Sequence, residues 1–439
     1  MNFKIEYTNQ EITPWSGFVF LKQMMQKMGF RNKIKECSDL PLPGSNRGYQ
    51  AYELIESFIV SIWSGANKFS HIEITRLDKP LTKIFDWKQI PGNDAFKRFF
   101  RKFTMETNAA VAQHFFSWII QQLQLSTLTL DYDSTTLTRY GQQEGAKKGY
   151  NPKKKGRVSH HPLIAFIADL RIVANVWLRS GDSSSSNNFT AFLEDTLNKL
   201  KGKKVGLIRM DSGFFSKQVL DFIEGLKINY IVAVRFYKPI QRTISLRQNW
   251  LHVDTGIEIC ETTYQAEGWE RPRRLIVVRQ KLEDRPTAVG KTLNIFEGTK
   301  DYNRHRYSAY VTDLTLPPAE VWRLYRGRAD SENCIKETKE DFGVESFNLQ
   351  EFYPTEAALI FVMIAYNLMA IFRLFILKSE VQHTLSTLRF KVFAIGAYFQ
   401  KINGEYHLKI ALSKKRRKWF EALWNNGNNS SPPFGFSNA

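Results

Sequence analysis

The sequence predicts an α/β protein built on a mixed five-stranded sheet with helices on both faces. Three observations carry that prediction. From Thr127 the helical spacing of apolar residues gives way to short β-branched runs. Those runs first follow one another directly and then alternate with helices, and three of them end in aspartate, Asp133, Asp169 and Asp211.

Taken in order, residues 127–133 (TLTLDYD), 163–169 (LIAFIAD) and 172–178 (IVANVWL) read as three antiparallel strands, the last two joined by a tight turn. A helix over 188–200, a strand over 205–211 (VGLIRMD), a helix over 217–226 and a strand over 230–236 complete the alternation. The stretch up to Pro317 has alternating polarity, including 257–264 and 274–279, and reads as a β-rich insertion. Residues 317–342 follow as one helix, opened by Pro317 and Pro318 and stopped at Gly343. At about 100° per residue, Tyr325, Arg328, Glu332 and Lys339 share one arc beside the apolar Val321, Leu324, Ile335 and Phe342, with Arg326, Asp330, Asn333, Glu337 and Asp341 opposite. Charges turned toward a core need partners. Either Arg328 and Glu332 form a buried i,i+4 ion pair, or a carboxylate faces a cleft between cations that take phosphate.

Residues 1–125 read as helical, with apolar residues at three-to-four spacing over 17–28, 51–64 and 108–124 and a loop at 40–47. In 91–103 (PGNDAFKRFFRKF), Asn93 or Asp94 is placed to cap. Phe96, Phe99, Phe100 and Phe103 take one face, and Lys97, Arg98, Arg101 and Lys102 the other. Such a helix suits a core on one side and DNA phosphates on the other; the alternative is a solvated basic face. Residues 139–161 read as a flexible basic loop carrying Lys147, Lys148, Lys153, Lys154, Lys155 and Arg157, with Tyr140 and Tyr150, either a DNA grip or an exposed hairpin. His160 and His161 lack a third ligand and read as turn or DNA-contact residues.

A net charge of +19 over 439 residues implies a polyanionic partner, nucleic acid before membrane. Cys37, Cys260 and Cys334 stand far apart with no metal-ligand spacing, which fits a reducing compartment. The first residues show no signal-peptide pattern, so a cytoplasmic, nucleoid-associated location is expected. The apolar run 357–372 is shorter than the roughly 20 residues of a membrane span, so a buried helix over 357–377 and no membrane role are expected. The basic cluster 414–418 (KKRRK) precedes Trp419, Phe420 and Trp424, and the tail from Asn425 reads as disordered.

The chemistry-bearing residues are few. Asp131 and Asp133 project from the same face of the first strand, and Asp211 ends the fourth in DSGF, where an N-cap role is the alternative. Tyr325, Arg328, Glu332 and Lys339, spaced Y-x2-R-x3-E-x6-K, with the triplet Asp133-Ser134-Thr135, resemble the signature of bacterial insertion-sequence DDE transposases. The resemblance covers residues 127–342. It implies a ribonuclease-H-like core in which the first and fourth strands are adjacent, so that their aspartates meet. It further implies a metal triad of Asp133, Asp211 and Glu332, with Asp131 as alternate first ligand, holding two Mg²⁺ for which Mn²⁺ can substitute. Tyr325, Arg328 and Lys339 would grip DNA phosphates. Double-stranded DNA, as terminal inverted repeats and target, and a homodimer or larger synaptic complex would be the partners.

The expected division is a DNA-end-binding or dimerisation region at 1–125, core at 126–236, insertion at 237–306, core with the signature helix at 307–378, and a C-terminal helical region with disordered tail at 379–439. The rival functions are a non-catalytic DNA-binding regulator and a structure-selective nuclease. Metal-dependent cleavage of terminal-repeat DNA separates the first, and a target-joining assay the second.

Overall fold

The computed structural model describes residues 3–44, 48–152, 154–293, 304–379 and 381–435, arranged in two compact units. One, the sheet unit, comprises Ser126–Thr136 and His161–Cys334; the other, the helical unit, comprises Met1–Leu125, Leu137–His160 and Ile335–Ala439.

In the sheet unit, β1 (Thr127–Ser134), β2 (Leu163–Ile167), β3 (Ile172–Trp177), β4 (Lys204–Met210) and β5 (Asn229–Ala233) lie in the order β3-β2-β1-β4-β5. β1, β4 and β5 run parallel; β2 and β3 are antiparallel to their neighbours. The first and fourth strands are adjacent, as the resemblance implies. The sheet does not stop at five strands, however. The expected insertion at 237–306 supplies β6 (Leu251–Asp254), β7 (Ile257–Tyr264), β8 (Arg273–Lys281) and the start of β9 (His305–Thr312), whose remainder falls in the expected second core segment, and β9 pairs with β5 to make one sheet of nine. The expected 237–306 segment also includes residues 294–303, which lie outside the described residues. The extension has a physical reason: β5 alone would present an unpaired row of backbone groups, and β9 covers it.

Both faces of the sheet carry helices because the strand alternates. Tyr132 packs edge-on against Phe189 and Phe192 of the helix Phe189–Leu200, at 5.1 and 5.9 Å between ring centres. Asp131 and Asp133 point the other way. On that face Leu207, Ile231, Ile276 and Val278 are covered by Val321 and Trp322 of the helix Pro318–Arg326. Register is set by a bulge. Leu128 pairs with Val205 but Thr129 with Leu207, so Gly206 is the extra residue. A side chain there would meet Thr127 Cγ2 at 2.6 Å. From the bulge on, Asp131 faces Arg209 and Tyr132 faces Met210, which brings Asp133 and Asp211 side by side at the strand ends.

The single helix expected over 317–342 is two, Pro318–Arg326 and Ala329–Glu340. The break has a cause on the sheet. The Arg209 guanidinium donates to Leu324 O at 2.5 Å, capturing a terminal carbonyl, and a Cβ on Gly327 would stand 2.6 Å from Arg209 Nη1. Because the helices break, the single arc dissolves. Glu337, expected outward, is buried and paired with Arg373, while Leu324, expected inward, is exposed.

The helical unit centres on Phe352–Ile371, continued as a π-helix over Phe372–Leu377. Phe58, Phe69, Phe100, Phe347 and Phe361 cluster around it. The helix is long and apolar enough to cross a membrane, yet 94% of its most apolar window is buried inside the fold, as expected of a core helix. Helix Asn93–Phe100 buries Phe96, Phe99 and Phe100 as the spacing predicts. Its cap differs: Gly92 is the N-cap, and Glu73 accepts from Asn93 N at 2.9 Å. The expected flexible loop 139–161 is a small sheet of Leu137–Thr138, Val158–His160 and Lys147–Lys148, anchored by the buried Arg139. The tail is ordered rather than disordered through residue 435. Lys414–Asn429 is helical, and the buried Phe434 stacks on Phe375 at 5.2 Å. A β-hairpin, Ala397–Ile402 with Glu405–Ile410, lies within the region expected to be helical.

Candidate active site

All three proposed metal-binding carboxylates belong to the sheet unit, as do Tyr325 and Arg328. Asp133 is the penultimate residue of β1 and is 8% exposed. Its Oδ1 accepts from Ser134 N and its Oδ2 from Arg328 Nη2, both at 2.8 Å. Burial pushes its carboxyl up to about 6, with the Asp211 and Glu332 charges adding to the rise and the Arg328 guanidinium opposing it. Those two acids therefore act on Asp133 through the field, which places all three in one neighbourhood.

Asp211 follows β4 and caps a short turn, accepting from Gly213 N at 2.8 Å. The next full helix, Lys217–Gly225, has its own cap in Ser216. Asp211 therefore turns the chain at the strand end without being tied to that helix. Glu332 sits in the first turn of Ala329–Glu340, and its side chain is 67% exposed. Arg328 Nη1 lies 3.2 Å from Glu332 Oε1, so one guanidinium holds two of the three acids. Arg328 is 5% exposed, and its Nε is buried without a hydrogen-bond partner.

Asp131 has different work. Arg209 grips it in a fork, Nε to Oδ1 at 2.6 Å and Nη2 to Oδ2 at 2.8 Å, and Ser331 Oγ donates to Oδ2 at 2.6 Å. It is fully buried. This ion pair ties β1 and β4 to both segments of the broken helix, and so sets where Arg328 and Glu332 stand. Sequence reasoning missed Arg209 and Ser331. The signal available was an Arg two residues before Asp211, at the same strand phase as that aspartate.

Tyr325 packs against Tyr310 with ring centres 4.3 Å apart and planes tilted by 44°, and it donates to Met210 O at 3.3 Å. A cleft of about 900 Å³ opens beside it, bordered by Ser212, Arg285, Lys291, Arg326, Arg328 and Glu332. Arg285 and Lys291 were not anticipated, since the pairing of β9 with β5 carries the insertion to the acids, and Arg326 was expected on the opposite side of a single continuous helix.

The remaining predicted DNA contacts fall in the helical unit. Lys339 pairs with Glu345 at 3.6 Å. Lys147, Lys148, Lys154, Lys155 and Arg157 are exposed, with Lys154 over the Tyr140 ring at 4.8 Å; Lys153 lies outside the described residues. Arg98, Arg101 and Lys102 are exposed and Lys97 half-buried, and Arg101 meets Glu351 at 3.1 Å. His160 and His161 are buried rather than surface turn residues, and His160 Nδ1 accepts from Arg139 Nε at 3.0 Å.

Among the described residues no three His, Cys, Asp or Glu side chains converge as a metal site in the present arrangement. The donor chemistry nevertheless fits a hard divalent ion. Asp133, Asp211 and Glu332 offer only oxygens, and the Arg328 guanidinium already rests on two of them in the manner of a stand-in cation.

Residues 2–429 match the family model described as transposase DDE domain group 1. No curated protein matches the chain. Among solved structures, the piggyBac transposase synaptic complex with hairpin DNA is similar at 13% identity and a TM-score of 0.47, over 87% of this chain and 81% of that one.

Proposed function

We propose, from the premise that this chain belongs to the transposase DDE domain group 1 family, that Asp133, Asp211 and Glu332 are the acids with which it cuts DNA at the ends of its own mobile element. The family carries endonuclease and strand-transfer chemistry and generally uses a divalent metal; the reading of that metal as Mg²⁺, with Mn²⁺ able to substitute, is ours. The observation that supports the assignment best is the strand register. Beyond the Gly206 bulge, β1 and β4 carry Asp133 and Asp211 side by side, on the face where Ser331, one residue before Glu332, bonds Asp131.

Asp133, Asp211 and Glu332 would hold the metal pair. When bound, two such ions supply an activated oxygen nucleophile and charge stabilisation for the departing oxygen of the phosphodiester. The chain's own residues then do the rest. Arg328, released from the acids, is placed to pair a phosphate in bidentate fashion, and Tyr325 is held beside it by Tyr310. Arg326, Lys291 and Arg285 along the cleft add backbone contacts that position the strand without reading its sequence. Lys339, the cations of 147–157 and those of 97–102, all in the helical unit, are read as further phosphate contacts. Double-stranded terminal repeats and target DNA are the partners in this reading, in a dimeric or larger assembly within the bacterial cytoplasm.

The test is cleavage of labelled terminal-repeat DNA. Mg²⁺ or Mn²⁺ restores nicking at the element boundary to chelator-treated protein, and Ca²⁺ supports binding without cleavage. Equal cleavage in excess chelator would overturn the assignment. Addition of unlabelled target separates a transposase, which joins the freed 3′ end, from a nuclease that only cuts.

Acidity gives a second check. With its carboxyl raised to about 6, Asp133 keeps its proton in the folded, metal-free protein between the ordinary aspartate range and that value. Because the unfolded chain gives up this proton first, the fold loses stability as pH rises through this window, and a bound cation must displace the proton. Metal affinity measured by calorimetry is therefore expected to weaken below pH 6 by about tenfold per unit, with net proton release on binding. A flat affinity from pH 5 to 7.5 would contradict it.

A further inference from the structure

Unlike Arg209 and Arg328, a further arginine of the sheet unit is buried without a carboxylate bonded to it. Arg179 is 6% exposed, and its guanidinium bonds only neutral acceptors. Nε donates to His161 O at 2.9 Å, Nη1 to Ser184 O and Asn187 O at 2.7 Å each, and Nη2 to Ser134 Oγ at 3.2 Å. Burying a cation on carbonyls alone is unfavourable by several kcal/mol relative to pairing it. Burial lowers its pKa to about 10, which still leaves it charged at neutral pH. What this unfavourable arrangement secures is the backbone of residues 180–188, SGDSSSSNN, a polar loop with no regular structure.

The loop is placed where chemistry happens. Ser134, on one arm of the guanidinium, is the neighbour of Asp133. On the other side the loop lies against the turn of Asp211: a Cβ on Gly213 would meet Ser185 Oγ at 2.6 Å and Ser185 Cβ at 2.8 Å. Ser184 and Asn187 are exposed, and Ser184 Oγ donates to Asn187 Oδ1 at 2.7 Å. The serine run 183–186 is therefore tied to both aspartate strand ends, Ser184 sharing the Arg179 fork with Ser134 and Ser185 lying against the Asp211 turn.

We propose that Arg179 is a positioning residue for DNA cleavage, pinning the serine loop as a neutral wall of hydroxyl donors that seats the scissile-strand phosphates against Asp133 and Asp211. Hydroxyls suit this place. Serine donates to phosphate oxygens as lysine does, but it adds no cation to compete with metal for the acids. Lysine cannot replace Arg179, because a single ammonium does not span acceptors on three separate backbone segments. The proposal rests on the assignment of the acids given above, and its test keeps the two apart.

Arg179→Met, Arg179→Lys and Ser184→Gly are compared with Glu332→Gln in full-length protein on terminal-repeat DNA. The glycine variant loosens the loop and removes the Ser184–Asn187 link while leaving Arg179 intact. For Arg179→Met and Arg179→Lys, the expected result is a 10- to 100-fold slower single-turnover cleavage at saturating DNA, with the dissociation constant within about threefold of parental. Amide exchange rises in residues 183–188 and not in β1 or β4. Ser184→Gly shows the same pattern more weakly, and it carries the test if the Arg179 variants do not fold. Parental cleavage rates in the loosened-loop variants, or a rate loss that only follows a loss of folded protein, would overturn the proposal. Undiminished cleavage by Glu332→Gln would instead overturn the assignment of the acids, whereas the exchange result at 183–188 stands or falls independently of it.

Discussion

Asp211→Asn is expected to fold and bind terminal-repeat DNA like the parent while cleaving it about 10³-fold more slowly, a loss of about 4 kcal/mol of barrier lowering. The substitution keeps an oxygen that can accept from Gly213 N, so the turn after β4 survives. What it removes is a charge that the fold has placed in the field of Asp133. Asp133→Asn and Glu332→Gln share the outcome, and pairs of these changes cost little more than one, because the acids act as a unit. Single-turnover cleavage with parallel binding curves checks this. A parental rate in any one of the three would remove that residue from the site.

Arg209→Ala is expected to be the most destabilising single change on this face, by about 3–5 kcal/mol, because it leaves the fully buried Asp131 carboxylate with the Ser331 hydroxyl in place of a charged partner. The effect separates the two aspartates of β1. Asp131 carries structure and Asp133 carries charge toward the acids, although they share a strand face. Replacing both members, as Asp131→Leu with Arg209→Met, should recover about half of the loss, since a buried pair is weaker evidence for stability than its breaking suggests. Denaturant unfolding of the single and double variants measures this directly. A loss below about 1 kcal/mol for Arg209→Ala would mean that solvent reaches Asp131 and that the clamp on the broken helix is unimportant.

What could be read from the chain follows from how local each feature is. β1, β4 and the helices between them were legible because apolar periodicity and terminal aspartates are properties of neighbouring residues. The adjacency of the first and fourth strands, implied by resemblance, is present in the pairing of Asp131 with Arg209. Three features were not legible, each for its own reason. The break at Gly327 depends on a guanidinium from a strand far away in sequence, so helical periodicity read continuously across it. The joining of the insertion to the core sheet depends on edge pairing of β9 with β5, which leaves no local pattern. The tail beyond Asn425 looked disordered by composition, yet Phe434 finds Phe375 and backbone partners at Gln122 and Gln124. The charged arc was half legible. Arg328 turned inward as its spacing suggested, and Glu332 did not.

The pairing of β9 with β5 also dictates a chronology. β1 and β4 leave the ribosome early, carrying two acids, but the sheet they belong to keeps an open flank until β9 arrives, and Glu332 comes only after β9. A nascent or truncated chain would therefore hold an incomplete set of the proposed acids, the third arriving only once the framework that aims it has been synthesised.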